Sequence, residues 1–182
     1  LLHEMLDLEQ IGEAPVMMAP TRFDLIDFCE EVLASMQVMA RNHGNSLSLE
    51  TMLEVREVYH DPTWMRQILF NLLSNAIKFT EDGIISVAVR NTHEEDADGE
   101  EKVLIEVRDT GVGMNEQELE RVFEAFTQAT DHTDREFGGT GLGLALCLDL
   151  TRKMKGDLQL ASEPGEGTTV TISLPRTVEE RA

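Results

Sequence analysis

The spacing of apolar positions predicts helices in five stretches of the chain. In the first long one, Phe28, Val32 and Met36 recur at intervals that place them on one helical face. Asp61 and Pro62 open another helix, because aspartate is a favoured N-cap residue and proline fits the first helical position. The predicted helices cover residues 1–11, 23–40, 61–79, 116–122 and 142–154.

Alternation of apolar and polar residues predicts six strands. Val103, Ile105 and Val107 show the pattern of a strand with one buried face. Because strands and helices do not alternate regularly, we expect an α/β fold that is a two-layer sandwich and not a doubly wound sheet. Its sheet would be mixed but mostly antiparallel, with hairpin connections, and packed on three main helices. The predicted strands cover residues 46–50, 54–60, 84–91, 102–109, 157–162 and 168–174.

The composition is that of one acidic globular domain. The chain has 182 residues, of which 41% are hydrophobic and 27% charged. Its formal net charge is −20, from 15 Lys and Arg against 35 Asp and Glu. This argues against nucleic acid as a partner, because binding a polyanion needs a basic surface. The two cysteines lie in apolar helical patterns, which predicts buried thiols and a reducing compartment.

A polar stripe runs along the predicted helix 61–79. Its members are Gln67, Asn71, Asn75 and Lys78. Their intervals of four, four and three residues place them on one helical face. A solvated surface would explain the stripe, but such surfaces favour Glu and Lys, whereas asparagine is a poor helix former. A row that faces a ligand is the alternative, since an asparagine amide oxygen suits Mg²⁺.

A turn with two glycines, Asp109-Thr-Gly-Val-Gly113, follows the predicted strand 102–109. Gly111 and Gly113 would let the backbone approach a flat ligand closely. A half-buried carboxylate at Asp109 would accept a hydrogen bond from an exocyclic amine, which adenine carries where guanine has an acceptor. The alternative is an ordinary turn in which the aspartate only caps the backbone.

The most glycine-rich segment, residues 138–146, leads into the last predicted helix. Gly139, Gly141 and Gly143 leave the backbone open at a helix N-terminus, where N–H groups and the helix dipole favour a phosphate. The segment has neither the lysine of a G-x-x-x-x-G-K-S/T loop nor the spacing of a dinucleotide-binding G-x-G-x-x-G loop. The preceding residues 127–140 are polar and aperiodic, which predicts a mobile loop.

Taken together and in this order, these motifs resemble the catalytic ATP-binding domain of bacterial sensor histidine kinases. That domain is part of the wider gyrase, heat-shock chaperone and histidine kinase ATPase group, and the resemblance implies the Bergerat fold of this group. It extends over about 23–175 of the chain, and five boxes in family order make it specific. They are the N box (71–80), the G1 box (109–113), the F box (123–126), the G2 box (139–144) and a G3-like turn (165–168).

The resemblance implies roles for the matching residues, with ATP and Mg²⁺ as cofactors. Asn75 corresponds to the Mg²⁺ ligand at the triphosphate, and Asp109 to the residue that binds the N6 amine of adenine. Residues 127–140 correspond to a lid over ATP. The residues implied in catalysis are Asn71, Lys78 and Arg135. Those implied in ATP binding are Asn71, Asn75, Lys78, Asp109, Gly111, Gly113, Phe126, Gly139, Thr140, Gly141, Leu142, Gly143 and Thr168.

One position separates transferring from hydrolysing members of the group. Hydrolytic relatives carry a glutamate four residues before the metal-binding asparagine, where it activates water. Here that position is Asn71, and an amide is not a base at neutral pH. The resemblance therefore implies a kinase that hands the γ-phosphoryl group to a protein nucleophile, mostly by positioning and charge neutralisation.

The phospho-accepting histidine of such a kinase is expected outside this chain. His3 lies about twenty residues before Phe23 and lacks the family's motif around it. The resemblance implies an acceptor on a dimerising helical hairpin, a homodimeric parent with a cytoplasmic kinase core, free or membrane-anchored, and a response regulator or receiver domain as partner. The fragment itself is a candidate monomer. We expect 1–12 to end the hairpin helix, 13–22 to be a linker, 23–176 the catalytic domain and 177–182 a tail or linker.

Two other functions stay open at the level of sequence. One is a nucleotide-binding signalling module without transfer activity, which the intact boxes argue against. The other is an ATP-hydrolysing clamp of the gyrase or mismatch-repair kind, which Asn71, the short chain and the acidic surface argue against.

Overall fold

The computed structural model describes residues 17–52, 56–92, 101–129 and 142–178. The expectations for residues 1–11, and for all but the start of the predicted lid, fall outside these ranges. Within them the chain forms seven strands and four helices. The strands are β1 (Thr21–Asp24), β2 (Ser46–Met52), β3 (Glu57–His60), β4 (Ile84–Thr92), β5 (Lys102–Asp109), β6 (Asp157–Glu163) and β7 (Gly167–Pro175), and the helices are α1 (Leu25–Asn42), α2 (Pro62–Phe79), α3 (Glu116–Ala129) and α4 (Leu142–Lys153).

Five of the strands form the main sheet, in the order β2-β4-β5-β7-β6. Strands β2 and β4 pair in parallel, and the other three neighbouring pairs are antiparallel. Apolar residues meet across the strands, so that Val107 of β5 stands between Val87 of β4 and Val170 of β7. The prediction of a mixed, mostly antiparallel sheet is confirmed.

Helices α1, α2 and α4 pack on the sheet and share one hydrophobic core with it. Leu73 of α2 and Ile105 of β5 are at most 1% exposed, whereas Glu106, on the other face of β5, is partly exposed. This is the two-layer sandwich on three main helices that the sequence predicts. Among the described residues, no helix has the length and apolar character needed to cross a membrane.

Several predicted elements have different bounds in the structure; the predicted strand 54–60, for example, begins at Glu57 as β3. Helix α1 begins at Leu25, because the Asp24 carboxylate accepts hydrogen bonds from two N–H groups of the first turn and caps the helix. Residues 21–24 form β1, which pairs with β3 and extends the fold into the segment expected as a linker. Helix α3 runs to Ala129 and not only to residue 122, since no glycine or proline interrupts it. The first residues of the predicted lid are therefore helical.

Both ends of α2 are held by buried polar side chains. Asp61 is the N-cap, and its carboxylate accepts hydrogen bonds from the first turn of the helix and from the Ala19 N–H at 2.8 Å. At the other end, the Asn45 amide donates to the Thr80 carbonyl at 2.7 Å and accepts the Gly83 N–H at 2.9 Å. The helix that carries the polar stripe is therefore fixed at both ends.

Candidate functional site

The polar stripe of α2 lies along the open side of the helix. Asn71 and Asn75 are partly buried, and Lys78 is exposed. The Asn71 amide donates to the Gly143 carbonyl at 3.4 Å, whereas the Asn75 side chain forms no hydrogen bond within the described ranges. The Lys78 ammonium lies 5.3 Å from the centroid of the Phe79 ring, in cation–π geometry. Within the described ranges, the Asn75 amide is therefore not engaged by another protein group, unlike the amide of Asn71.

The few oxygen ligands that this face offers suit a hard cation that takes most of its ligands from water and from a bound phosphate compound. In the described part of the chain, no group of three or more His, Cys, Asp or Glu residues could hold a metal. The Asn75 amide oxygen supplies one neutral oxygen, and Asn71 a second one nearby on the same face. Mg²⁺ accepts this arrangement, because it retains several waters and takes its remaining oxygens from phosphates.

The N-terminus of α4 lies against Asn71. Gly143 is the second residue of that helix, and a Cβ placed on it would lie 3.7 Å from the Asn71 Cγ atom, an ordinary contact. Further along α4, the Cys147 thiol is buried against the Ile68 carbonyl of α2. These contacts bring the positive end of a 12-residue helix next to the amide face of α2. A phosphate at this point would be stabilised by the helix dipole and by free N–H groups.

Asp109 ends β5 inside the protein, where only 7% of it is exposed. Its Oδ1 atom accepts the Gly111 N–H at 2.9 Å and the Thr168 N–H at 3.2 Å. Both backbone donors go to Oδ1, so neither of these two N–H groups occupies a lone pair of Oδ2. Burial raises the pKa of the Asp109 carboxyl above its usual value, and the neighbouring N–H groups and the Thr80 hydroxyl oppose that rise.

The turn after Asp109 is packed against the hairpin between β6 and β7. Gly113 has φ +65°, and the Glu163 carbonyl occupies the place where a side chain would begin. The Gly165 N–H donates to the Val112 carbonyl at 2.8 Å. The hairpin thus forms one wall of the predicted base site and explains how Thr168 reaches Asp109.

Ser162 is a structural residue of this wall that the sequence analysis did not single out. Its hydroxyl accepts the Met114 N–H at 2.9 Å and donates to the Gly167 carbonyl at 2.9 Å. It also lies 2.9 Å from the Thr168 hydroxyl. No local signal predicts these bonds, because Ser162 is an ordinary strand residue until the hairpin folds back on the turn.

Helix α2 connects the two ends of the site. At its C-terminal end, the Val112 N–H of the glycine turn donates to the Phe79 carbonyl at 3.2 Å. Toward its middle, Asn71 contacts Gly143 at the start of α4. The structure therefore brings the N box, the G1 box, the start of the last helix and the G3-like turn together around one helix.

Other residues in the predicted set cannot be placed in the same detail. Arg135, Gly139, Thr140 and Gly141 lie outside the described residues. Phe126 lies in α3 and Leu142 is the first residue of α4, and their side chains are not described.

Residues 60–178 match the model of the family described as histidine kinase-, DNA gyrase B-, and HSP90-like ATPase. The Autoinducer 2 sensor kinase/phosphatase LuxQ of Vibrio parahaemolyticus is 34% identical over 182 residues, which are 100% of this chain and 21% of LuxQ. The chain thus spans about a fifth of the length of the curated relatives it matches.

Solved structures of histidine kinases share the fold. Full-length ShkA in complex with AMPPNP superposes with a TM-score of 0.77 and 27% identity, over 98% of this chain and 35% of ShkA. The nucleotide-free catalytic domain of the histidine kinase ThkA superposes with a TM-score of 0.69 and 25% identity, over 89% of this chain and 100% of that domain.

Proposed function

Because the chain belongs to the histidine kinase-, DNA gyrase B-, and HSP90-like ATPase family, we propose that it binds Mg-ATP and transfers the γ-phosphoryl group to a histidine of its parent protein. One observation carries the proposal: α2 joins an adenine-type base site at Asp109 to an amide face beside a helix N-terminus. The two ends suit the two ends of one nucleotide. The kinase alternative is favoured over hydrolysis by the residue at position 71.

The base end of the site is expected to select a purine that carries a hydrogen-bond donor at C6. Burial raises the pKa of the Asp109 carboxyl, and its two backbone hydrogen bonds oppose that rise and favour the ionised form. An anionic oxygen attracts the N6 amine of adenine and repels the carbonyl oxygen that guanine has in its place. The site is therefore expected to prefer ATP over GTP.

The phosphate end neutralises charge. The protein's net charge of −20 opposes the binding of a triphosphate, so groups close to the phosphates must neutralise their charge. Asn75 would hold Mg²⁺, with Asn71 in support, and the metal when bound would neutralise the phosphate oxygens. Lys78, which now lies over Phe79, is on the same helical face and reaches the phosphates by leaving that ring. Gly139, Gly141, Gly143 and Arg135 complete the proposed phosphate set.

The residue at position 71 supports transfer over hydrolysis. A water-activating base is expected four residues before the metal ligand, and the amide of Asn71 cannot take a proton at neutral pH. In the structure this amide donates to the backbone of α4 instead. Hydrolysis of bound ATP therefore has no base to assist it at this position, and the γ-phosphoryl group is left for transfer to a protein nucleophile.

The acceptor and partners follow from this proposal. The phosphorylated group is a histidine on a dimerising helical hairpin upstream, of which residues 1–12 form the end. The linker proposed for 13–22 ends before β1 (Thr21–Asp24), which belongs to the catalytic domain through its pairing with β3. A response regulator or receiver domain takes the phosphoryl group onward. The tail or linker proposed for 177–182 begins only after Val178, which is fully buried and donates its N–H to the Tyr59 carbonyl at 3.0 Å. This part of the parent protein acts in the cytoplasm.

Nucleotide binding by the chain itself tests the proposal. Calorimetric titration with ATP and excess Mg²⁺ is expected to give one site per chain, with weaker binding in EDTA and much weaker binding of GTP. Equal affinity for ATP and GTP would contradict the role of Asp109, and the absence of any ATP binding would contradict the proposed function as a whole.

The Asp109→Asn variant is expected to bind ATP about 10- to 100-fold more weakly at neutral pH, since a hydrogen bond to a charged group contributes about 1.5–3 kcal/mol.

In the wild type, the affinity for ATP should fall as the pH drops through the raised pKa of Asp109, because the protonated carboxyl loses its charge. This loss should begin at a higher pH than for an ordinary aspartate. The variant should lack that step, and titrations of both proteins over the same pH series remove the contribution of the ATP phosphates. The same pH profile in both would refute the assignment.

A further inference from the structure

Thr80 directly follows α2, and its hydroxyl group has no role in the site described above. The residue is fully buried, and its backbone carbonyl accepts the Asn45 amide at 2.7 Å. Its hydroxyl oxygen has no hydrogen-bond partner of normal geometry within the described part of the chain. A buried hydroxyl without a partner lowers stability, so a state of the protein in which it gains a partner is favoured.

Two glycines leave the space that the Thr80 side chain fills. A Cβ on Gly83 would lie 2.5 Å from the Thr80 methyl carbon, and a Cβ on Gly111 would lie 2.7 Å from the hydroxyl oxygen. Both distances are too short for real side chains, so the threonine fits only between these glycines. The methyl group therefore faces Gly83, and the hydroxyl faces the turn that follows Asp109.

The hydroxyl lies beside the carboxylate of Asp109. The same Cβ position on Gly111 would be 2.9 Å from Asp109 Oδ1, so the two oxygens border one small space. Burial has the largest effect on the pKa of this carboxyl and raises it, and Thr80 is one of three groups that lower it. Thr80 is therefore a buried donor next to the group that would read the base.

We propose that Thr80 is a positioning residue for base recognition: when a nucleotide binds, its hydroxyl donates to the Asp109 carboxylate and orients Oδ2 toward the exocyclic amine. The inference rests on the proposed function, because it acts through Asp109. A carboxylate with three protein donors keeps its charge and holds one orientation. Thr80 thereby strengthens the preference for a base with an amine at C6 over one with a carbonyl there.

The test compares Thr80→Val with Thr80→Ser in titrations with Mg-ATP and Mg-ITP, since inosine carries a carbonyl at C6. Valine keeps the shape and removes the hydroxyl, whereas serine keeps the hydroxyl and removes the methyl group. Thr80→Val is expected to weaken ATP binding about three- to tenfold, which is the effect of one hydrogen bond, and to leave ITP binding unchanged. It should also move the pH midpoint of ATP binding upward. Thr80→Ser should keep both the ATP affinity and the pH midpoint close to those of the wild type.

The outcomes separate the inference from the proposed function. If the wild type does not bind Mg-ATP, the proposed function fails; if it binds and Thr80→Val keeps the wild-type ATP/ITP ratio and pH midpoint, only the inference fails. Equal weakening of ATP and ITP by Thr80→Val would indicate a purely structural role and would also overturn it. Should the valine variant not fold, Thr80→Ala against Thr80→Ser gives the same comparison, with thermal melting as the control for folding.

Discussion

The Asn75→Ala variant is expected to lose phosphoryl transfer by about 100-fold or more, as is usual when one preorganised group that stabilises transferring charge is removed. The fold should survive the change, because the Asn75 side chain is only partly buried and forms no hydrogen bond within the described ranges. Alanine is also the better helix former. The measurement is autophosphorylation of a longer form of the protein that includes the acceptor hairpin, together with thermal melting of the same samples.

Ser74→Ala is the matched control for this prediction. Ser74 is the preceding residue of α2, is exposed, and lies outside the stripe of Asn71, Asn75 and Lys78. Its replacement should leave both the transfer rate and the melting temperature close to the wild-type values. An Asn75→Ala protein that transfers phosphate at the rate of the control would eliminate Asn75 as the metal ligand.

The Gly113→Ala variant is expected to destabilise the protein by more than about 3 kcal/mol, since it combines two of the mechanisms behind large mutational effects. The residue has φ +65°, which costs a non-glycine residue about 1–2 kcal/mol. In addition, the new Cβ would overlap the Glu163 carbonyl, which is backbone and cannot rotate away. Relief requires the hairpin to move off the turn. That movement would stretch the bond between the Thr168 N–H and Asp109, so nucleotide binding should weaken with stability.

Gly165 provides the control at a similar backbone angle. Its φ is +79°, but a Cβ on it would meet nothing within 4 Å. Gly165→Ala should therefore cost only the conformational part, about 1–2 kcal/mol, and leave ATP binding intact. Chemical unfolding of both variants, followed by ATP titration, measures the difference. Equal losses of stability would show that the packing of the hairpin on the turn contributes little.

Periodic patterns made most of the fold predictable. Strand β5 has the predicted bounds, and α2 begins at its Asp61 cap, because apolar periodicity and capping are local signals that tertiary packing reinforces. The predicted start of α1 was wrong because strand pairing overrode a local signal. Phe23 fits a helical pattern but pairs with Val58 in a sheet, and only the partner strand decides between the two states.

The residues of the site also fall into those that the sequence predicts and those that it does not. The positions of Asp109 and of the asparagines of α2 could be predicted, because residue type and spacing carry their chemistry. The contributions of Ser162, Asn45 and Thr80 could not, since each acts through contacts with segments distant in sequence. These three residues hold the turn, the helix and the hairpin in register, and a single sequence does not show which serine, asparagine or threonine does so.

Under the proposed function, this site delivers the γ-phosphoryl group of ATP to a histidine and not to water. The most direct measurement follows the label from ATP labelled at the γ-phosphate, in a longer form of the protein that contains the acceptor hairpin. Before any response regulator is added, the label should accumulate on the protein in an acid-labile, base-stable form, with inorganic phosphate released much more slowly than this bond forms. Steady release of inorganic phosphate without labelled protein would contradict the account.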